Sequence, residues 1–484
     1  MNNSVLIHTL STFSKDEMKK FGDFVISPYF NKKTAVITLF RYIKKHYLDE
    51  DRETLQRESA WMSIFPEKKY NYGVMKNLIY ELTKLSEHFL QLQSFDADVY
   101  RKQFLLLENL NQRSDKKLFS AKFKLLEEKL KGRKIFSPEI YEYLKDLSIM
   151  EYDFNFKNTS ILKDKDLTYK ISEYEIYYTL IECFKNFNNI VSFKMRNNYT
   201  KKINILESFL DGIPFQSILN KIKKLSEYDF IIMNTYYLMY LAAKHDQEPE
   251  HYFRYKAYLV SHDKYFDEHE VRLLYNFLES TLTINDHITD RNVEYFEIDK
   301  IRVKRNLILD EKKEISFNEY AGIIKTAADF GETQFMKNFI SSHLKNVPKL
   351  LRKNAENFSH AHLNYITGDF DKALENIACV DVNSSEYKLN LRSLNLKILY
   401  EKDDFVSFEY LMDSFRHYLT KDVVQDNYRT IYLNYCTFLN RLFKVKEAKN
   451  ISECNLLKKE ITAGNTANKF WLLKKIEELM KKKK

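Results

Sequence analysis

Glycine and proline are scarce in this sequence, which has only 8 Gly and 6 Pro in 484 residues. Average usage would give roughly 34 Gly and 24 Pro. Tight turns and hairpins depend on these two residues, so their scarcity disfavours a fold built from many short strands. It also leaves no glycine-rich phosphate loop, because neither GxGxxG nor GxxxxGK[ST] occurs. Long helices joined by short polar loops are predicted instead.

Cysteine and long apolar runs are also sparse. The four cysteines form no CxxC pair, which predicts reduced thiols and a cytoplasmic protein; they are Cys183, Cys379, Cys436 and Cys454. The N-terminus lacks the basic and apolar regions of a signal peptide. The longest apolar stretch, Phe230 to Ala243, falls short of the ~20 residues that cross a bilayer. We therefore expect no membrane insertion.

Catalytic and metal-binding motifs are missing as well. No GxSxG or HExxH motif occurs. His360 and His362 are two residues apart, so on a helix they would point to different sides. The segment from His262 to His269 has two histidines and several acids but no ligand spacing. We expect no catalytic residues, no metal and no cofactor, and an enzyme with an unrecognised site is the least favoured of three functional classes.

Helix-start signals recur along the chain and are followed by apolar residues at helical spacing. Capping-box patterns are present at Ser14-x-x-Glu17, Ser172-x-x-Glu175, Asp267-x-x-Glu270 and Ser316-x-x-Glu319. No alternation of apolar and polar residues typical of strands appears. The sequence predicts an all-α fold, with helices that include residues 172–198, 227–244, 250–261 and 268–285.

Four regions can be distinguished along the chain. Residues 1–135 form an N-terminal helical region and residues 136–311 a middle region of longer, repeat-like helices. Residues 312–460 contain repeats, and residues 461–484 form a last helix with a lysine tail. The charge is uneven, with 11 basic and 4 acidic residues in 101–134 and with 7 basic and 15 acidic residues in 226–300.

A repeat with a period of 35 residues marks the C-terminal third. Small residues at Ala361 and Ala373 allow two helices to approach closely, and Gly368-Asp369-Phe370 supplies the turn between them. Asp403-Asp404-Phe405 follows 35 residues later, and Cys436 and Ala448 lie 75 residues after the first pair of small residues. The predicted architecture is an α-solenoid of antiparallel helix pairs.

This stretch resembles the tetratricopeptide (TPR) repeat over about 130 residues. Ala361 falls on the small residue of the family's first helix and Ala373 on that of its second, while Gly368-Asp369-Phe370 matches the turn. The other repeat-defining positions are Asp404, Phe405, Cys436 and Ala448. The N-terminal part is similar to an uncharacterised bacterial family of helical proteins, which implies no function. We expect this part to form a helical cap on the array.

The TPR resemblance implies a non-catalytic scaffold that binds a protein or peptide on its concave face. The inward positions of the first helices would carry the contacts. These candidate partner-binding residues are Phe358, His362, Tyr365, Asn390, Lys397, Tyr400, Thr437 and Asn440.

The alternative is a nucleic-acid-binding regulator that uses the N-terminal helices. Residues 53–64, a turn at Phe65-Pro66 and a helix from Tyr72 to Leu92 resemble a helix-turn-helix. Lysines on this segment and in the basic stretch 101–134 could contact phosphates, with the repeats acting as a sensor; the lysines are Lys68, Lys69, Lys76 and Lys84.

Overall fold

The computed structural model describes most of the chain and shows an all-helical protein. The described residues are 4–47, 55–113, 115–159, 165–197, 199, 204–285, 287–288, 291–381, 385–421, 426–448 and 451–481. These residues form 24 α-helices and no strand, which confirms the all-α prediction. None of the helices in these ranges is both long enough and apolar enough to span a membrane.

The chain divides into two compact units, which we describe separately. The first comprises residues 1–133 and 139–175, and the second comprises residues 134–138 and 176–484. The helices of the first unit are α1 (Val5–Ser11), α2 (Lys15–Ile26), α3 (Thr34–Tyr47), α4 (Arg57–Ile64), α5 (Tyr72–Ala97), α6 (Val99–Gln112), α7 (Lys116–Lys131), α8 (Glu139–Thr159) and the start of α9 (Leu167–Asn197).

The core of the first unit is rich in phenylalanine and lies between α1, α2, α3 and α5. Phe21 is fully buried at its centre. Its ring packs edge-on against Phe40 from α3 at 5.2 Å between centroids, and it lies 5.3 Å from the ring of Phe89 on α5. These aromatic contacts join helices that are distant in sequence.

The second unit continues from α9 with fifteen further helices within the described ranges. They are α10 (Ile205–Asp211), α11 (Phe215–Leu225), α12 (Glu227–Lys244), α13 (Pro249–His262), α14 (Glu268–Ile284), α15 (Arg291–Lys304), α16 (Phe317–Asp329), α17 (Thr333–His343), α18 (Arg352–Thr367), α19 (Phe370–Ala378), α20 (Ser385–Glu401), α21 (Phe405–Lys421), α22 (Asp426–Ala448), α23 (Ile451–Ala463) and α24 (Lys469–Lys481).

From α11 to α24, each helix of the second unit packs against the next one along the chain. Alternate helices are also in contact, among them α12 with α14, α16 with α18, and α22 with α24. The short segment 134–138 belongs to this unit through an isolated parallel bridge. The amide of Phe136 donates to the carbonyl of Tyr265 at 2.6 Å, and the amide of Asp267 donates to the carbonyl of Phe136 at 2.9 Å.

Local capping chemistry sets most helix starts where the sequence predicts them. Ser14 and Glu17 form a reciprocal capping box on α2. Asp267 caps α14 and Ser316 caps α16. The prediction for Ser172 is wrong, because α9 already begins at Leu167 and the Ser172 hydroxyl donates to the carbonyl of Thr168 inside the helix.

The two turns that define the repeat share one local structure. Gly368 has φ of +82°, a left-handed conformation that favours glycine, and Asp369 caps α19. At the equivalent turn Asp403 adopts φ of +55°, and Asp404 accepts from the amide of Ser407 at 3.1 Å. A left-handed residue followed by an aspartate cap therefore begins both α19 and α21.

The third repeat copy is not formed as predicted. Cys436 is fully buried on α22, but Ala448 is the last residue of the same helix and is exposed. The two residues therefore lie on one helix and not on the first and second helices of a pair. No glycine or aspartate turn interrupts α22 between them, so the helix continues.

Substitution of Ala373 by leucine tests the close approach of α18, α19 and α20. Ala373 is fully buried and packs in one cluster with Ala361, Leu394 and Ile398. The added side chain should overpack this cluster and lower the free energy of unfolding by about 1–3 kcal/mol. Ala378 on the same helix is exposed, so Ala378→Leu is the matched control in urea denaturation. Equal midpoints for the two variants would contradict this packing.

Candidate functional site

The candidate partner-binding residues lie on α18, α20 and α22, and four of the eight are buried. Phe358, His362 and Tyr365 belong to α18; Asn390, Lys397 and Tyr400 to α20; and Thr437 and Asn440 to α22. Among them only Thr437 is exposed. The structure brings three of these side chains, Tyr365, Lys397 and Tyr400, around a single residue of α24.

That residue is Trp471, and the three side chains around it form what we call the Trp471 pocket. The indole Nε1 donates to the hydroxyl of Tyr365 at 2.7 Å. The Tyr400 ring meets the indole edge-on at 5.4 Å between centroids, and Lys397 Nζ lies 5.5 Å from the indole centroid. The indole is only 5% exposed. A hydrogen bond, an aromatic contact and a cation–π contact therefore hold α24 on this surface.

Two further contacts join α24 to α20 and to the end of α16. Lys475, one turn after the indole, pairs with Glu401 of α20 at 2.7 Å. Phe470 packs against Phe330 at the end of α16, with 5.0 Å between ring centroids. We call the surface of α16, α18 and α20 that α24 covers the first-helix face. Helix α24 also packs against α22 and α23 through Leu472 and Ile476.

The first-helix face also buries charge. Lys397 Nζ lies 3.3 Å from a carboxylate oxygen of Asp329, at the end of α16. Burial alone would raise the pKa of Asp329, but the positive charges of Lys397 and Lys325 hold that pKa below its ordinary value. The ion pair therefore persists beneath α24.

His362 lies beside this pair as a neutral imidazole. Burial and then the charge of Lys397 lower the pKa of His362 to about 3. Its ring packs on Phe358 at 4.7 Å between centroids, and its Nε2 is buried without a hydrogen-bond partner among the described residues. An unsatisfied buried nitrogen costs free energy of about 1–3 kcal/mol. Burial of the His362 side chain therefore costs free energy, which other contacts of the fold offset.

The remaining candidate residues make contacts inside the fold. Asn390 accepts a hydrogen bond from the Tyr432 hydroxyl at 3.1 Å, and Phe358 is fully buried. Thr437 is exposed, and its hydroxyl donates to the carbonyl of Leu433 on the same helix at 3.0 Å. Asn440 is half-buried. These four residues are not part of the Trp471 pocket.

Neither histidine pattern noted in the sequence brings metal ligands together among the described residues. His262 Nδ1 lies 2.9 Å from the carbonyl of Tyr258 and its ring stacks on Tyr258. His362 is enclosed as described above, whereas His360 is only partly buried.

Among the lysines of the nucleic-acid hypothesis, Lys84 has an acidic partner and Lys68 lies over an aromatic ring, and the nearby Lys33 also pairs with an acid of α5. Lys84 pairs with Glu87 at 2.7 Å on the exposed side of α5. Lys33, directly before α3, pairs with Glu81 of α5 at 2.5 Å. Lys68 extends over the ring of Phe65, with Nζ 5.4 Å from the centroid. The mixed charge of this surface does not favour phosphate binding over other contacts.

A second polar cluster lies in a pocket of about 380 Å³ lined by α14, α15 and α16. Arg302 is 5% exposed and donates to Glu279 at 3.1 Å and to Asn276 at 3.1 Å, and it also pairs with Glu319. Asp299 lines the same pocket and is 6% exposed. Burial and then the charge of Glu279 raise the pKa of Asp299 to about 7. Two acids thus pair with Arg302, and a third, Asp299, lines the same pocket.

The role of Trp471 was missed in the sequence analysis, where residues 461–484 were treated as a separate end helix. One signal was available, because Trp471 is one of only two tryptophans in the chain and precedes a lysine by one helical turn. That spacing places an aromatic side chain and a cation on one side of a helix.

Comparisons with known proteins return no relative. No family model, no curated protein and no solved structure matches this chain.

The pH dependence of stability tests the environment of Asp299. Its pKa of about 7 in the folded chain is above the ordinary value of 3.8. Between these values the folded state binds more protons than the unfolded state, so stability falls as pH rises from 3.8 to about 7, and this group changes it no further above that range. Asp299→Asn should therefore raise the free energy of unfolding at pH 8 by up to about 4 kcal/mol, with a smaller gain near pH 4.

The exposed Asp413 provides the control for this experiment, and Asp413→Asn should change stability little at either pH. Urea denaturation of both variants at the two pH values measures the difference. A gain from Asp299→Asn that is equal at both pH values would contradict the raised pKa.

Proposed function

We propose that this protein is a non-catalytic helical-repeat scaffold that binds a helix of a partner protein on the first-helix face. The observation that carries the proposal is the occupation of this face by α24, which sits there by an indole hydrogen bond and a lysine–glutamate pair. A surface that accepts one amphipathic helix has the geometry to accept another.

The proposal includes a TPR-like array of antiparallel helix pairs in the C-terminal third. Its support is the shared turn structure at Gly368-Asp369 and Asp403-Asp404, together with the contact of consecutive helices. The same 35-residue spacing relates His362 to Lys397 and Tyr365 to Tyr400. Equivalent positions of successive first helices would then line one surface.

The chemistry of the Trp471 pocket defines the partner. The Tyr365 hydroxyl accepts a hydrogen bond from the indole N–H, and the Tyr400 ring packs on the indole. Glu401 forms an ion pair with the lysine one helical turn after the indole. We therefore propose a partner helix that carries an aromatic hydrogen-bond donor followed by a basic residue four positions later. In its absence α24 occupies the face.

Competition between α24 and an added helix tests the proposal. A fluorescent peptide of residues 466–481 should bind the Trp471→Ala variant, because loss of the buried indole weakens α24 by about 3–5 kcal/mol. It should bind the unaltered chain at least about tenfold more weakly, since α24 already occupies the face. Fluorescence anisotropy measures both affinities.

Two controls make this experiment decisive. A peptide with its own Trp471→Ala change should not bind, and a Tyr410→Ala variant, altered at an exposed tyrosine of α21, should behave as the unaltered chain. Tyr365→Phe removes only the hydroxyl and should give an intermediate release of α24. Circular dichroism verifies that each variant is folded. Equal peptide affinity for the unaltered chain and the Trp471→Ala variant would refute an exchangeable helix on this face.

A further inference from the structure

The connection between α12 and α13 gathers two histidines and a glutamate. His245 follows directly after α12, Glu248 precedes α13, and His251 lies in the first turn of α13. Their spacing is His-x-x-Glu-x-x-His across the helix start at Pro249. The spacing arises because a short connection reverses the chain between two helices that pack on each other.

The ligating atoms of these three side chains converge. His245 Nδ1 lies 3.2 Å from one carboxylate oxygen of Glu248, and His251 Nε2 lies 3.3 Å from the other. The three candidate donor atoms all lie within 4.8 Å of one another. The two imidazole rings are 4.6 Å apart between centroids. The carboxylate is thus bracketed by two imidazole nitrogens.

Glu248 is placed for this arrangement and not for helix capping. It occupies the N-cap position of α13, but its side chain makes no hydrogen bond to the backbone amides of the first turn. Its carboxylate is directed to the two imidazoles instead. The side chains are 36%, 60% and 22% exposed for His245, Glu248 and His251, so an ion from solvent can reach them.

The two nitrogen–oxygen separations, 3.2 and 3.3 Å, suit a tetrahedral metal ion. Metal–ligand bonds of about 2.0–2.2 Å in a tetrahedron place neighbouring donor atoms roughly 3.3–3.5 Å apart. Two imidazole nitrogens and one carboxylate oxygen are donors that zinc and its neighbours in the first transition row prefer, whereas magnesium and calcium require oxygen ligands. The surrounding segment 226–300 carries 15 acidic and 7 basic residues, which attracts cations.

We infer that His245, Glu248 and His251 form a binding site for one divalent transition-metal ion, with zinc as the preferred ion and a fourth coordination position open to solvent. The site is independent of the proposed helix-binding face. Gln247 is held by the ring of His287, whose Nε2 lies 2.7 Å from Oε1 of Gln247, and this contact anchors the connection that carries the first two ligands.

Calorimetric titration of the full chain, stripped of metal with a chelator, tests the site with Zn²⁺ alone. We expect one equivalent to bind with a micromolar or lower dissociation constant. Each of His245→Asn, Glu248→Gln and His251→Asn should weaken binding at least about tenfold, because each removes one of three ligands. His417→Asn, at an exposed histidine of α21, should leave binding unchanged.

A spectrum with Co²⁺ identifies the geometry independently of affinity. The intense visible bands of tetrahedral cobalt should appear at one equivalent in the unaltered chain and in His417→Asn, and should be lost in the three ligand variants. Zn²⁺ should also raise the melting temperature of the unaltered chain but not of the ligand variants. Absence of binding would show that Glu248 only forms ion pairs with the histidines. Binding that the ligand variants retain would show adventitious metal; either result overturns the inference.

Discussion

The helices of the second unit depend on burying one apolar stripe each against their neighbours in the chain. Helices of this length are marginally stable alone in water, so contact with the preceding and following helix supplies most of their stability. Helix α24 packs on α22 and α23 and also places its indole between α18 and α20. This packing covers part of the surface of α18 and α20.

The first-helix face, which α24 covers, buries polar groups together with apolar ones. Lys397 and Asp329 remain an ion pair, and the neutral His362 keeps a nitrogen without a partner among the described residues. Breaking a buried pair by removing one partner is costly, but exposing both members to water restores their hydration. Opening of the face would lose the indole contacts and regain this hydration. The two effects oppose each other, which narrows the difference in free energy between the closed face and an open one.

The sequence predicted the features that depend on local chemistry. Helix starts at Ser14 and Asp267 and the turn at Gly368 follow from side chains within a few residues of each other. The 35-residue period relates Tyr365 to Tyr400, and both side chains contact Trp471. Ala448 was assigned wrongly to a separate helix, since a small residue at the expected spacing does not by itself produce a turn between two helices. The contact of Trp471 with Tyr365 joins residues 106 positions apart, and no local pattern specifies such a pairing.

On the proposed function, protons and a partner helix act on the same equilibrium. Burial and the charge of Lys397 lower the pKa of His362 to about 3, whereas a solvated histidine has an ordinary value near 6.5. Between these values an open state in which His362 is solvated would bind the additional proton, so acidification would favour that state. Asp329 opposes this effect only at lower pH, because its pKa in the closed state is already below the ordinary value of 3.8. From about pH 4 to pH 6.5 the histidine therefore dominates, and a partner that enters the face under mildly acidic conditions meets less resistance from α24.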